Sequence, residues 1–189
     1  MALDRKQDDL HLVRRCQEGD RSALKQLYAR HHGVLYAVSF RLTGHAADAE
    51  DVVQEAFIKA WRALPRFRCE TTFKNWLIRI GVNLCRNLKK RRRETKSLED
   101  TAAPIQDSDA LAQVWLTNAL GELPSGYREV LVLHDVMEFR HNEIADVLDI
   151  SVGTSKSQLH RARTKMRLLL KKSRDMAGTT SAAGSGRQV

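Results

Sequence analysis

Proline is nearly absent from this 189-residue chain, with 3 residues, and glycine is sparse, with 10. Many short strands would need both at their turns, so the scarcity favours long helices. Cysteine numbers only 3, at positions 16, 69 and 85, with no CxxC pair. That odd, scattered set speaks against a disulfide framework or a zinc ribbon and fits a reducing cytosol. No apolar run approaches the roughly 20 residues that cross a bilayer, so membrane insertion is not expected. Met1 to Asp9 is charged and lacks an apolar stretch, so it does not read as a secretory signal. A glycine-rich phosphate loop is also missing. His31-His32 and the His134, His141 pair have no Asp or Cys at the spacing of a triad or a zinc site. The expectation is therefore a protein with no catalytic residues, no cofactor and no metal. What the chain does have, 42% hydrophobic and 29% charged residues, suits folded domains rather than disorder throughout.

Basic residues are in excess, 32 Lys and Arg against 23 Asp and Glu, a formal net charge of +9. Their distribution says more than their sum. Thr43 to Phe57 carries four acids, Asp48, Glu50, Asp51 and Glu55, and no Lys or Arg. Arg86 to Lys96 holds seven basic residues in eleven, and Gly153 to Arg174 holds eight with no acid. Such segregation suits one surface for a polyanion and another for a basic partner. A solvated helix face would explain a single run, but less readily two basic runs in one short chain.

Apolar periodicity is helical throughout. Leu10, Val13, Leu24, Leu27 and Tyr28 recur at helical steps, interrupted at Gly19-Asp20. Val34, Leu35, Val38 and Leu42 continue until Thr43-Gly44. Val52/Val53, Ala56/Phe57, Ala60/Trp61 and Leu64 form a strong stripe that Pro65 stops. Another runs through Phe73, Trp76/Leu77, Ile80/Gly81, Leu84 and Leu88 into the basic run. Glu94 to Ala110 then turns acidic, with few large apolar residues and Pro104, the composition of a flexible linker. Helical spacing resumes near Leu111. The tail after 175, rich in Gly, Ser, Ala and Thr, reads as disordered. The expected fold is all-α, with two small helical domains at 1–95 and 111–175, a linker at 96–110 and a tail at 176–189.

Asn142 to Arg167 reads as a helix-turn-helix. Glu143 to Leu148 makes a short amphipathic helix with small Ala145 where a crossing helix would touch. Asp149 tolerates the left-handed backbone of a sharp turn. Ser151 suits the N-cap of the next helix. That helix is expected from Val152 to about Lys172, burying Leu159, Ala162 and Met166. It would present Lys156, Ser157, His160, Arg161, Arg163 and Lys165, a pattern that fits a major groove. Ser155 is out of place, polar where an apolar residue should face the hairpin.

In the first half, Asp48, Asp51 and Glu55 share a helix face beside Gln54. No His or Cys joins them at ligand spacing, so the face reads as a dock for a basic partner rather than a metal site. Arg66-Phe67-Arg68 precedes Phe73 and Trp76, and rings near a basic helix can hold unstacked bases. Trp76 lies on the apolar stripe and reads as core. Phe67 precedes the stripe and suits either role. Asn83, Arg86 and Asn87 share a helical face and can offer base-edge or phosphate contacts.

With these motifs in order, Asp48 to Trp61, Arg66-Phe67-Arg68 with Phe73, Trp76-Leu77 and Asn83, then Glu143-Ile144-Ala145 and Gly153-Thr154 through Arg161-Ala162-Arg163, the chain resembles the extracytoplasmic-function (ECF) group of bacterial sigma-70 family RNA polymerase sigma factors. The resemblance spans roughly residues 10 to 172. It implies that Asp51, Gln54 and Glu55 contact the clamp coiled coil of the large subunit of core RNA polymerase. It implies that Phe67, Asn83, Arg86 and Asn87 serve the −10 element of promoter DNA, Phe67 by forming a pocket for a flipped base. Lys156, Ser157, His160 and Arg161 would read the −35 element. It further implies a non-enzymatic, cytoplasmic protein of the stress-response type, without cofactor, often held by an anti-sigma factor. The chain departs from the family's pattern at Cys69 (usually Gly), Ser155 (usually Val), Gln158 (often Arg) and His141-Asn142 (commonly a Tyr-Glu type pair). Two other readings compete: a free-standing helix-turn-helix repressor or activator, and a nuclease holding Mg²⁺ on Asp48, Asp51 and Glu55.

Overall fold

A computed structural model describes residues 2–95 and 116–182. Four helices make the first half: α1 (Ala2–Gln17), α2 (Arg21–Thr43), α3 (Ala46–Ala63) and α4 (Phe73–Thr95), with a 3₁₀ turn at Leu64–Arg66. The second half holds α5 (116–122), α6 (Ser125–Leu131) running into a π turn at Val132–Val136, α7 (His141–Leu148) and α8 (Val152–Ala182). The described residues include no strand.

Local chemistry sets the breaks. The Asp20 carboxylate accepts the backbone N–H of Ser22 at 2.7 Å and of Ala23 at 3.4 Å, which caps α2. Arg15 grips the same carboxylate at 2.5 Å and so ties the end of α1 to the start of α2. The Ser22 contacts and Arg15 hold the Asp20 carboxyl well below the usual carboxylate range. Gly44 adopts φ 85° and donates to the Phe40 carbonyl at 2.8 Å, closing α2 with a left-handed residue that suits glycine. Pro65 cannot continue α3 and sits in the 3₁₀ turn.

The apolar stripes meet as their period requires. Leu27, Leu35 and Val38 of α2, Val53 of α3, and Leu77, Ile78 and Val82 of α4 are fully buried. Each such side chain contributes roughly 1.5–3 kcal/mol of burial. In the second half Val130, Leu133 and Ile144 pack with Leu159, Ala162 and Met166 of α8. One position in α2 works against its helix. Gly33 is exposed, and a Cβ added there would meet nothing within 4 Å. Gly33→Ala is therefore expected to stabilise the protein by about 1 kcal/mol, measurable by urea unfolding.

α8 differs from the sequence expectation. It continues to Ala182, so residues 176–182, whose composition reads as disordered, are helical. Propagation adds one hydrogen bond per residue once a helix exists, so a small-residue stretch costs little to append. The linker at 96–110, the helix start near Leu111 and residues 183–189 lie outside the described residues. The two halves also touch, with α4 against α7 and α2 against the π turn.

Candidate nucleic-acid interface and docking face

The helix-turn-helix forms as its residues dictate. Asp149 takes φ 57° and ψ 53°, and Ile150 donates back to the Ala145 carbonyl at 3.1 Å, closing α7. The Ser151 hydroxyl accepts the Thr154 N–H at 3.0 Å and caps α8. Leu159, Ala162 and Met166 are buried. Lys156, Ser157, His160 and Arg161 are all exposed, on the first three turns of α8. A helix N-terminus with polar and cationic side chains free to turn outward can enter a major groove and reach base edges.

Ser155 proves to be an interior residue with a partner. It is fully buried, and its hydroxyl lies 2.9 Å from His141 Nδ1, which pins the first turn of α8 to α7. Two of the four departures from the family's pattern, Ser155 and His141, thus form one contact. The His134 ring lies beside His141, 4.7 Å between centroids. Desolvation, with the nearby charges of His134, Lys156 and Arg163, pushes the His141 pKa down.

Arg163 leaves the basic reading face. Its guanidinium donates to Asp135 at 2.9 and 2.6 Å, tying α8 to the π turn. This pairing, stronger than the effect of burial, lowers the Asp135 pKa, and His134 adds to it. A lowered carboxylate pKa adds stability above the unfolded value near 3.9, lost as pH falls through the folded value. Acidifying from pH 6 to pH 3 should therefore cost the wild type more stability than Asp135→Asn. For so exposed a pair the difference stays within about 1 kcal/mol. Urea midpoints of the two proteins across that range provide the check.

On α3, Asp51, Gln54 and Glu55 are exposed, and Glu55 makes only an i,i+4 pair with Lys59 at 3.2 Å. Asp48 departs from the expected shared face. It is buried at 9% exposure, and one oxygen accepts from Arg92 of α4 at 3.0 Å. The three carboxylates do not converge, and no group of three potential metal ligands lies together among the described residues.

The candidate −10 face is less uniform. Asn83 and Asn87 are exposed on α4. Arg86 between them is half-exposed and engaged. Its Nε donates to both Glu129 oxygens at 3.1 and 3.2 Å, and its Nη2 donates at 2.6 Å. Phe67 is half-buried, stacked on Trp76 at 4.5 Å between centroids with Phe73 edge-on. It therefore packs on the core and still borders a cavity of about 100 Å³ shared with Leu10, Val13, Cys69, Thr72 and Phe73. Gln17 of α1 donates to the carbonyls of Leu64 and Phe67, both at 3.0 Å, and fixes the loop.

Cys69 stands in the left-handed region, φ 57°. A side chain there costs roughly 1–2 kcal/mol, which glycine avoids. Cys69→Gly should raise stability by about 1 kcal/mol, after the entropy glycine loses on folding is subtracted. An unchanged denaturant midpoint would contradict the strain.

Sequence reasoning missed Arg128 and Glu129, an ordinary charged dipeptide on the page. Arg128 is 8% exposed. It donates to the Leu123 carbonyl at 3.0 Å, to those of Leu120 and Gly121, and across to Leu42 of α2 at 3.1 Å. The carbonyls left over at two helix ends thus share one guanidinium. No sequence signal marks this, since the acceptors are main chain.

Comparisons with known proteins place these features. The family model Sigma-70 region 2 matches residues 27–95, and Sigma-70, region 4 matches residues 113–166. The chain is 35% identical to the RNA polymerase sigma factor CnrH of Cupriavidus metallidurans over 180 residues, 86% of this chain and 94% of CnrH. The ECF RNA polymerase sigma-E factor of Escherichia coli K12 is 35% identical over 175 residues, 82% of this chain and 90% of that one. The structure of CnrH in complex with the cytosolic domain of CnrY superposes with a TM-score of 0.71 at 34% identity, covering 87% of this chain and 97% of that chain. The sigma factor RpoE of Bartonella quintana, solved with the anti-sigma factor NepR, gives a TM-score of 0.68 at 29% identity, covering 78% and 96%. With both family models matched in order and relatives 35% identical over most of both chains, the chain belongs to the ECF group of the sigma-70 family of RNA polymerase sigma factors.

Proposed function

We propose that the chain docks on the clamp coiled coil of core RNA polymerase through Asp51, Gln54 and Glu55, and starts transcription at promoters it reads at two elements. Phe67, Asn83, Arg86 and Asn87 serve the −10 element, within a module spanning 1–95. Lys156, Ser157, His160 and Arg161 serve the −35 element, within a module spanning 111–175. The work is binding without bond chemistry, in the cytoplasm. An anti-sigma factor controls it, a reading supported by the NepR-bound relative.

The observation that carries this is the outward set of Lys156, Ser157, His160 and Arg161, held opposite buried Leu159 and Ala162 by the Asp149 turn. A bipartite grip raises the effective concentration of each module at its own element. Trapping unstacked bases near Phe67 would offset part of the cost of strand opening. The test is transcription by purified core polymerase with and without the chain, followed by start-site mapping. Lys156→Ala or Arg161→Ala should each lower −35-dependent initiation by about 1–3 kcal/mol, roughly 5- to 150-fold. A free-standing repressor would instead shift duplex DNA tightly without polymerase, and that result would remove the reading.

A further inference from the structure

The hydroxyl of Ser155 is buried at the start of α8, directly before the reading residues Lys156 and Ser157. The Ser155 N–H already donates to the Ser151 carbonyl at 2.9 Å, as helix geometry requires. The hydroxyl lies 2.9 Å from Nδ1 of His141, the first residue of α7. A hydroxyl proton shut away from water needs an acceptor, and a neutral imidazole nitrogen supplies one. An imidazolium cannot, since both its nitrogens carry protons.

The surroundings favour the neutral ring. The π turn brings the His134 ring to 4.7 Å, and His134 Nδ1 and Arg163 share Asp135 at 2.8 and 2.6 Å. Burial, then the charges of His134 and of Lys156 and Arg163 on α8, push the His141 pKa down. On α7 itself, Glu143 turns back to the Arg140 N–H at 2.9 Å. From α4, Asn75 reaches Glu143 and Lys74 stands over the Phe139 ring. The positive end of the α7 dipole also opposes a cation at its first residue.

We propose that His141 is a positioning residue for −35 reading: the neutral imidazole holds the first turn of α8 in place through Ser155, and a proton on the ring releases it. The inference rests on α8 reading the −35 element. His141 is only partly buried, so a charged ring can turn to water. Ser155 has no such exit, and its hydroxyl proton stays without an acceptor unless the turn shifts. Lys156 and Ser157 directly follow Ser155, and His160 and Arg161 lie one turn further on. Base-edge contacts need each donor at hydrogen-bond distance, whereas phosphate contacts carry no sequence information. Acid should therefore cost discrimination between −35 sequences, while the added positive charge strengthens sequence-independent binding. The sign is that of a histidine held neutral. The contact is complete above the ordinary value of about 6.5 and is lost as pH falls below it, through the lowered value of the folded chain.

The test uses holoenzyme made from core polymerase and the full chain. Its affinity is measured by anisotropy on a fluorescein-labelled duplex carrying a −35 element located by start-site mapping, and on the same duplex with that element scrambled. The ratio of the two affinities cancels charge effects common to both. For the wild type the ratio should fall about fivefold from pH 8 to pH 5.5, the size expected for one buried hydroxyl left unmatched. Ser155→Ala removes the hydroxyl and should keep the high ratio at both pH values. His141→Ala should give the low ratio at both. The double variant Ser155→Ala, His141→Ala should restore the high ratio, a rescue that a generally damaged fold would not show. His160 is present on the reading face of every variant, so a pH step that persists in Ser155→Ala belongs to another group and overturns the inference. A wild-type ratio that does not change with pH overturns it as well. A wild-type ratio near one at pH 8 refutes −35 reading itself, and the inference falls with it.

Discussion

Core RNA polymerase is expected to bind the Asp51→Ala, Glu55→Ala double variant about a hundredfold more weakly than the wild type, on the docking role proposed for those carboxylates. Two charge-assisted contacts at about 1.5 kcal/mol each account for that loss. The fold should survive, because both side chains are exposed and Glu55 makes only an ion pair with Lys59, at 3.2 Å, among the described residues. An exposed i,i+4 pair is worth about 0.3–0.5 kcal/mol. DNA sequence preference should stay as it was, since α8 and the loop at Phe67, the proposed reading elements, are untouched. Asp48→Ala separates docking from folding. Its carboxylate faces Arg92 of α4, so its loss should lower stability more than polymerase affinity. Surface plasmon resonance on immobilised core enzyme, alongside urea unfolding, reads the two quantities separately. Unchanged affinity in the double variant would remove the docking assignment.

Arg128→Met is expected to lower stability by about 3 kcal/mol or more. Methionine fills similar volume but leaves the Leu120, Gly121 and Leu123 carbonyls of α5 and its exit without their shared donor. Each buried polar group left unpaired costs roughly 1–3 kcal/mol, offset in part by no longer burying a cation. Burial already lowers the Arg128 pKa, the mark of a cation held where water is scarce. Arg128→Lys should recover little, because an ammonium cannot fork to carbonyls in several directions. A denaturant midpoint within about 0.5 kcal/mol of wild type, the ordinary surface-substitution range, would mean the carbonyls find water instead.

Much of the fold was legible because it follows from period and punctuation. The apolar stripes of α3 and α4 specify which faces turn inward whatever they meet. Asp20, Gly44, Pro65, Asp149 and Ser151 end or begin helices by local chemistry that needs no distant partner. Exposure of Lys156, Ser157, His160 and Arg161 followed from the burial of Leu159 and Ala162 one face away. At two charged positions periodicity misled. Asp48 shares a helical face with Asp51 by spacing, yet Arg92 on another helix draws it inward. Arg163 matched the reading face by spacing, yet Asp135 holds it. Ser155 violated the apolar pattern because its partner, His141, lies fourteen residues away.

From residue order and elementary helix chemistry alone came the all-α architecture, the ordered pair of motifs and the two electrically opposed surfaces. Those properties depend on contacts within a turn or two of the chain. Only the folded structure decided which charges stay free for a partner, that Arg128 gathers the carbonyls of two helix ends, and that Glu129 lies against Arg86. A charge's availability depends on what lies within about 4 Å of it through space, and neighbours contributed by other helices leave no period in the sequence.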